Sequence, residues 1–414
     1  MHRIATRRER AWFAALLAAL STLGPFSIDA YLPAFAGIQA SLNASPLEIQ
    51  QTLSAYLFAF ALMFLFHGAL SDSFGRRPVI LTALVVYTVA STAAAITDSV
   101  HGLIVWRVVQ GLSVGAGMVV GRAMIRDLMG PEEAQRLMAL VTLFFGLAPA
   151  VAPVIGGWLF AELGWRSVFW FLAAVGFILV AVSLRWLPET LAPEGRQSFH
   201  PIALLKGYEE VGIHLRFLLL SLAAGFNFNG FFLYIVSAPV FLGTHLGLGP
   251  RQYAWLFLPC ILGIMFGAQL SGRAAGRLSP NRTIEIAYGF MAVSALVNLA
   301  YAFAMPPSLP WAIIPIAVYG IGFAMAMPSI TLTTLDLFPT RRGMAASLQG
   351  FVSGMVNTLT AGVISPTLSG SPRALAMGMA GMMAIGVLCW WLYRQASRRS
   401  AHASLTEPVR ARDG

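Results

Sequence analysis

Two ionisable residues stand inside otherwise apolar runs, and each has the means to do chemistry there. Asp29 lies in Ser27-Ile28-Asp29-Ala30-Tyr31-Leu32-Pro33 and is the one acid within the hydrophobic part of the first half. Arg107 lies in Arg107-Val108-Val109-Gln110-Gly111, followed by Gly115, Gly117 and Gly121. Apolar surroundings favour a neutral carboxylic acid, whereas a nearby guanidinium favours the carboxylate. Such opposed terms suit a group that gains and loses a proton in a working cycle. An Arg at mid-membrane costs about 2.5–3.5 kcal/mol on insertion scales, so Arg107 should face a partner or a cavity. The competing readings are a permanent ion pair, an Asp wetted at the interface, or an Arg snorkelling to it.

The elements that must position them are membrane helices. The chain has 414 residues, 57% hydrophobic and only 11% charged, with a mean hydropathy of +0.73. A soluble domain carries about a quarter charged residues, so a water-facing surface is excluded. One crossing consumes roughly 20 apolar residues, and about twelve crossings fill this length. Backbone polar groups must be satisfied within each segment in lipid, so the crossings are helices. The expected spans are 12–36, 48–70, 79–97, 101–125, 135–160 and 165–187, then 213–243, 252–272, 283–304, 310–335, 343–366 and 373–394. The basic N-terminus and Ala34-Phe35-Ala36 resemble a leader with a cleavage site. The apolar run is long for one and passes through Asp29, which favours a retained first helix.

The net charge of +10 points to topology rather than to nucleic acid. With the N-terminus in the cytoplasm, only Arg166, Arg251 and Arg373 of the 27 Lys and Arg residues fall outside, and Arg107 lies within a helix. Basic loops belong on the cytoplasmic side, so both termini are expected there. A charged stretch divides the chain into 1–187, a linker 188–212, 213–396 and a tail 397–414. Gly75-Arg76 after the second span returns as Gly276-Arg277 after the eighth. Two related halves imply an all-α membrane protein of twelve transmembrane helices in two pseudo-symmetric six-helix bundles, with a site between them. Cys260 and Cys389 lie in apolar runs and read as packing residues.

Three further motifs bear on mechanism. Gly68-Ala-Leu-Ser-Asp72-Ser-Phe-Gly75-Arg76-Arg77-Pro78 combines close-approach glycines with a breakable ionic latch. Gly146-Leu-Ala-Pro149-Ala-Val-Ala-Pro153-Val-Ile-Gly156-Gly157 sets two prolines one turn apart among small residues. Asn227-Phe228-Asn229-Gly230, then Tyr234, places amides in the seventh span, where they line a cavity or bond a neighbouring helix. Phe226, Phe228, Phe231 and Phe232 suit flat apolar ligands or lipid, and the later methionines suit an adaptable wall or ordinary packing. No phosphate-binding loop and no metal-ligand spacing occurs, so neither an enzyme nor an ATP-driven pump is indicated.

These motifs resemble the major facilitator superfamily, and within it the Bcr/CflA drug-resistance transporters. The likeness is carried by Ile28-Asp29-x-Tyr31-Leu32-Pro33, Asp72 through Pro78, Arg107-x-x-Gln110-Gly111, Arg126-Asp127 and the Pro149–Gly157 segment. Gly164-Trp165-Arg166 with Phe169-Trp170, and Pro188-Glu189-Thr190, extend it. It implies a bacterial inner-membrane exporter driven by the proton gradient, without a cofactor, working as a monomer on small hydrophobic drug-like molecules. Bicyclomycin, chloramphenicol-like drugs and sulfonamides are the implied substrates. It casts Asp29 as the proton-coupling acid and Arg107 as its basic partner; Tyr31, Gln110, Asn227, Asn229 and Tyr234 are candidate cavity residues on their own chemistry, with bonds between helices the alternative for the amides. It also implies that Asp72 docks near a helix N-terminus of the opposite half. His67 and Arg273 depart from the pattern. Export of a physiological metabolite such as a nucleoside, and a non-transporting receptor on the same scaffold, are the alternatives.

Overall fold

The computed structural model describes residues 7–410. The side chains of residues 7–11, 131, 139, 142, 143, 145 and 399–410 fall outside that description, as do Arg3 and the end of the 397–414 tail. Among the described residues the secondary structure is helical throughout. Span 1 is Arg7–Asp29, span 2 is Pro46–Met63 continued as His67–Phe74, and span 3 is Arg76–Ile96. Span 4 is Val100–Val114 continued as Ala116–Leu128, span 5 is Pro131–Leu163 and span 6 is Arg166–Trp186. A linker helix, Pro201–Gly212, leads to spans 7 (Leu215–Val236), 8 (Ala254–Ala274) and 9 (Pro280–Ala304). Spans 10 (Ile314–Asp336), 11 (Arg342–Leu359) and 12 (Pro372–Arg410) complete the chain. Eleven helices are long and apolar enough to cross a membrane, and twelve when the pair bent by 50° in span 2 counts as one.

Local chemistry explains the ends. Ser45 forms a capping box with Glu48 and Pro46 occupies the first turn of span 2, satisfying amides that would otherwise lack partners. Ser99 and Ser279 cap spans 4 and 9 in the same way. Gly75 and Gly276 end spans 2 and 8 at φ of +98° and +75°, a region costly for a residue with a Cβ. The repeated Gly-Arg pair therefore marks a positive-φ glycine just after the corresponding span in both halves.

Three span ends fall short of the sequence reading. Span 11 stops at Leu359 rather than 366, continuing as a π-turn over Thr360–Ile364 and the short helix Ser365–Leu368. Span 1 stops at Asp29 rather than near 36, and a 3-10 turn, Leu32–Ala34, leads into the short helix Phe35–Leu42. Span 7 stops at Val236 rather than 243, giving way to Ala238–Val240 and a π-turn over Phe241–His245. Pro33 and Pro239 lack the amide that continuing either helix would need. Both are followed by a Phe and, two residues later, a Gly, a second internal repeat.

Each half packs mainly on itself, and the halves meet through two pairs of spans. Span 2 lies along span 11, where a Cβ on Gly350, Gly354 or Gly362 would meet Phe64, Ala61 or Ser54. Span 5 lies against span 8, and an ion pair joins Glu162 to Arg251 at their ends. At the face away from the chain termini the Leu32–Ala34 turn packs on Pro250–Gln252 and Ala238–Val240, and span 5 packs on Pro250–Gln252, so the halves close over that face.

Candidate functional site

The N-terminal half buries its charge in a cage of rings and hydroxyls. Arg107 is 0% exposed and its guanidinium carbon lies 4.6 Å from the Tyr31 ring centroid and 4.2 Å from that of Tyr56. Stacking of this kind partly replaces lost hydration of a cation. Its Nη1 donates to Ser27 O at 3.3 Å and to Gln110 Oε1 at 3.0 Å, whereas Nε and Nη2 have no partner. The cage is itself pinned. Tyr31 OH lies 2.6 Å from Thr52 Oγ1, Ser27 Oγ lies 2.6 Å from Tyr87 OH, and Tyr56 OH donates to Gly24 O at 2.9 Å. Gln110 Nε2 donates to Ser91 Oγ at 2.7 Å. Four spans therefore fix one guanidinium.

Asp29 is the last residue of span 1 and is 4% exposed. Among the described residues its carboxyl makes no hydrogen bond and no ion pair, and its oxygens are not among the fully enclosed polar atoms. A helix C-terminus carries partial negative charge, so an ionised Asp29 would be uncompensated from that side as well. The structure does not bring Asp29 and Arg107 together as an ion pair. Arg107 is solvated by tyrosines instead. Along span 1, Ala15 and Ala19 are exposed, Thr22 and Phe26 are half-buried, and Asp29 follows at the same helical spacing. An uncovered stripe thus runs from the termini face up to the buried acid.

The glycine pair of span 5 is wedged behind that acid. A Cβ on Gly156 would lie 2.0 Å from Ala30 O, and one on Gly157 would lie 2.1 Å from Pro250 O in the other half. One helix therefore touches both the residue after Asp29 and the opposing bundle. The helix is assigned as continuous through Pro149 and Pro153, and Gly146 faces open space.

The latch residues form a network within their own half. Arg76 pairs with Asp72 and, through Nε, with Asp127 at 3.1 Å. Glu189 accepts from the amides of Arg76, Arg77, Thr190 and Leu191 at 2.9–3.3 Å, so its carboxylate sits on the N-terminus of span 3. Arg77 Nη2 reaches Leu184 O at 2.8 Å, and Gly68 has nothing beside it. Asp72 bonds Arg76 of its own half, not a helix end of the opposite half. Glu189 and Asp127 are the residues sequence reasoning passed over as functional. The signal lay in Pro188-Glu189-Thr190 and Arg126-Asp127, both recognisable but without a partner assigned. His67 is also buried, its imidazole beside Gly115, where span 4 breaks.

The C-terminal half is built on neutral groups. Asn227 Nδ2 donates to Tyr288 OH at 2.9 Å, and that hydroxyl donates to Gly386 O at 2.9 Å. Asn298 Nδ2 donates to Tyr234 OH at 2.8 Å. Asn227 and Tyr234 therefore tie span 7 to spans 9 and 12. Asn229 points elsewhere and donates to Asn357 Oδ1 of span 11 at 2.8 Å.

A two-bundle helical membrane protein, sealed at one face and carrying buried charge in one bundle, is a transporter scaffold. The sequence profile of the Major Facilitator Superfamily matches residues 12–361 and 220–412. The chain is 27% identical over 400 residues to a bicyclomycin resistance protein homolog of Haemophilus influenzae, covering 94% of this chain and 97% of the relative. It is 29% identical over 381 residues to multidrug resistance protein D of Escherichia coli, covering 91% and 94%. The fold is shared with a bacterial homolog of the human lysosomal transporter Spinster in an inward-facing, occupied conformation. That likeness has a TM-score of 0.74 at 17% identity and covers 95% and 98% of the two chains. A D-xylose-proton symporter gives a TM-score of 0.72 at 15% identity, with 92% and 97% covered. The chain belongs to the major facilitator superfamily, and its motifs and relatives place it beside the Bcr/CflA-type drug transporters. It is a multi-pass membrane transporter and not an enzyme.

Proposed function

We propose that the protein exports small, largely apolar drug-like molecules in exchange for protons, by alternating access between its two bundles. The observation that carries this reading is the Asp29 carboxyl, buried at the sealed end of span 1 without an ion pair or hydrogen bond. A fixed cation nearby makes a poor proton switch, because Arg keeps its charge. An uncompensated acid responds to whichever face supplies water and protons. In this cycle both termini and the basic loops are cytoplasmic, in keeping with the charge asymmetry. Opening of the outer face lets a proton reach Asp29, and substrate leaves. Closure and reopening to the cytoplasm releases the proton along the Ala15–Phe26 stripe, and a negative pocket is restored. Arg107 and its tyrosines hold the helix ends that frame this acid. Span 5, touching both Ala30 and Pro250, links the state of the acid to the closure between bundles.

The relatives named for bicyclomycin and multidrug resistance support drugs as the cargo. The test is Asp29→Asn assayed in a drug-susceptible strain. Its expected outcome is loss of resistance with normal membrane abundance. Undiminished resistance would remove Asp29 from the mechanism.

A further inference from the structure

The C-terminal half contains a hydrogen-bonding set that the helix-tying network leaves unused. Asn229 spends both amide hydrogens, on Gly225 O and Asn357 Oδ1 at 2.8 Å each, while its own Oδ1 is buried without a donor. Asn357 accepts through Oδ1, and its Nδ2 donates to nothing among the described residues. Ser353, one turn earlier on span 11, has a buried Oγ without a partner. It packs beside Gly225, where a Cβ would lie 3.5 Å from the Ser353 Cα. The Gly225 carbonyl fixes the orientation of Asn229, because the flipped amide would set Oδ1 against another acceptor. Such groups are costly when left unmet in a protein interior.

The surroundings decide what would meet them. Phe228, next to Asn229, stacks on Phe232 at 5.1 Å and lies 5.2 Å from Phe323 of span 10. Phe231 also stacks on Phe323, at 6.5 Å. Phe228, Phe323, Ser353 and Asn357 are half-buried, so the set is not enclosed on every side. The charges of these three helices, Arg216, Asp336 and Arg342, stand at their ends on the termini face. A charged ligand would find no counter-ion on the central parts of these three helices. A flat ring would find aromatic faces, and an amide would find both an acceptor and a donor.

We propose that Asn229, Ser353 and Asn357, with the Phe228–Phe323 wall, form a substrate subsite for uncharged aromatic amides. The subsite rests on the exporter reading and names the class of molecule it handles. Specificity follows from the unmet amide groups, because a site built to hydrogen-bond rejects an analogue that cannot reciprocate.

Two probes of nearly the same shape test this, benzanilide and trans-stilbene, the second having a vinylene in place of the amide. Equilibrium binding of both to purified protein in nanodiscs gives a preference ratio. The wild type is expected to favour benzanilide by about tenfold, one good hydrogen bond's worth. Asn357→Leu should bring the ratio near one while stilbene binding persists. If Asn357→Leu binds neither probe, Ser353→Ala carries the test, because it leaves the Asn229–Asn357 bond intact and should still lower the ratio. A wild-type ratio near one, as for a water-filled gap, or a ratio unchanged in the variant that binds, overturns the proposal. Binding needs no gradient, so loss of proton coupling elsewhere would leave this ratio intact and is separately detectable.

Discussion

The two bundles solve the same burial problem with different chemistry. The first holds a cation among Tyr31, Tyr56 and Gln110 and an unpaired acid at the end of span 1. The second holds Asn227, Asn298, Tyr234 and Tyr288 in neutral pairs. Buried charge is expensive in a bilayer and survives where it is used. Neutral hydrogen bonds between membrane helices contribute modestly and can serve architecture alone. The contrast teaches that the halves, alike in fold, bury different chemistry; under the proposed export cycle, energy coupling falls to the first and cargo recognition to the second.

This division can be broken by experiment. The largest effect is expected at Arg107. Arg107→Leu removes a cation that has no anion, so thermal stability should hold or rise while transport falls about 100-fold, on the order of 2.7 kcal/mol. A variant that unfolds would show the cage to be structural. Next is Gly157→Ala, whose methyl would press on Pro250 O of the opposite bundle. Overpacking of this sort costs about 1–3 kcal/mol, and here the strain is relieved by parting the bundles. The distance between spin labels at Ala161 and Gln252 should lengthen; an unchanged distance would show that the contact does not gate.

Smaller effects are expected in the neutral half and the linker. Asn227→Leu loses a bond worth about 1 kcal/mol, lowering the melting temperature while transport stays within about twofold. Transport falling as far as in Arg107→Leu would erase the distinction between the halves. Tyr208 of the linker helix donates to Leu65 O at 2.8 Å, where span 2 breaks. Burial holds its phenol above the ordinary tyrosine range. Its contribution is therefore complete below about pH 10, the ordinary value, and is lost as pH rises through the folded-state value. Tyr208→Phe should lower stability by about 0.5–1 kcal/mol at neutral pH, and that deficit should shrink in alkali.

The sequence made the scaffold readable because its signals are one-dimensional. Apolar run length gives spans, and Gly75 and Gly276 give the repeated turn. Azimuth around a helix is harder. Asn227 and Asn229 differ by two residues, about 200° of rotation, and that alone sends one to span 9 and the other to span 11. Arg107 bonds Ser27 O and stacks on Tyr31, the residues two before and two after Asp29. The two charges still form no ion pair, so closeness along the chain does not make a pair. Glu189 was visible in its motif, but two of the four amides it accepts from, those of Arg76 and Arg77, lie far back in the chain at the start of span 3. Asn357 carried no signal at all until span 11 was placed beside span 7.

The most direct measurement is made in proteoliposomes with an imposed proton gradient and a substrate taken from a resistance panel. Wild-type protein should accumulate that substrate against its concentration gradient, and Asp29→Asn should only equilibrate it. Accumulation by Asp29→Asn at the wild-type level would contradict the assignment of proton coupling to this residue.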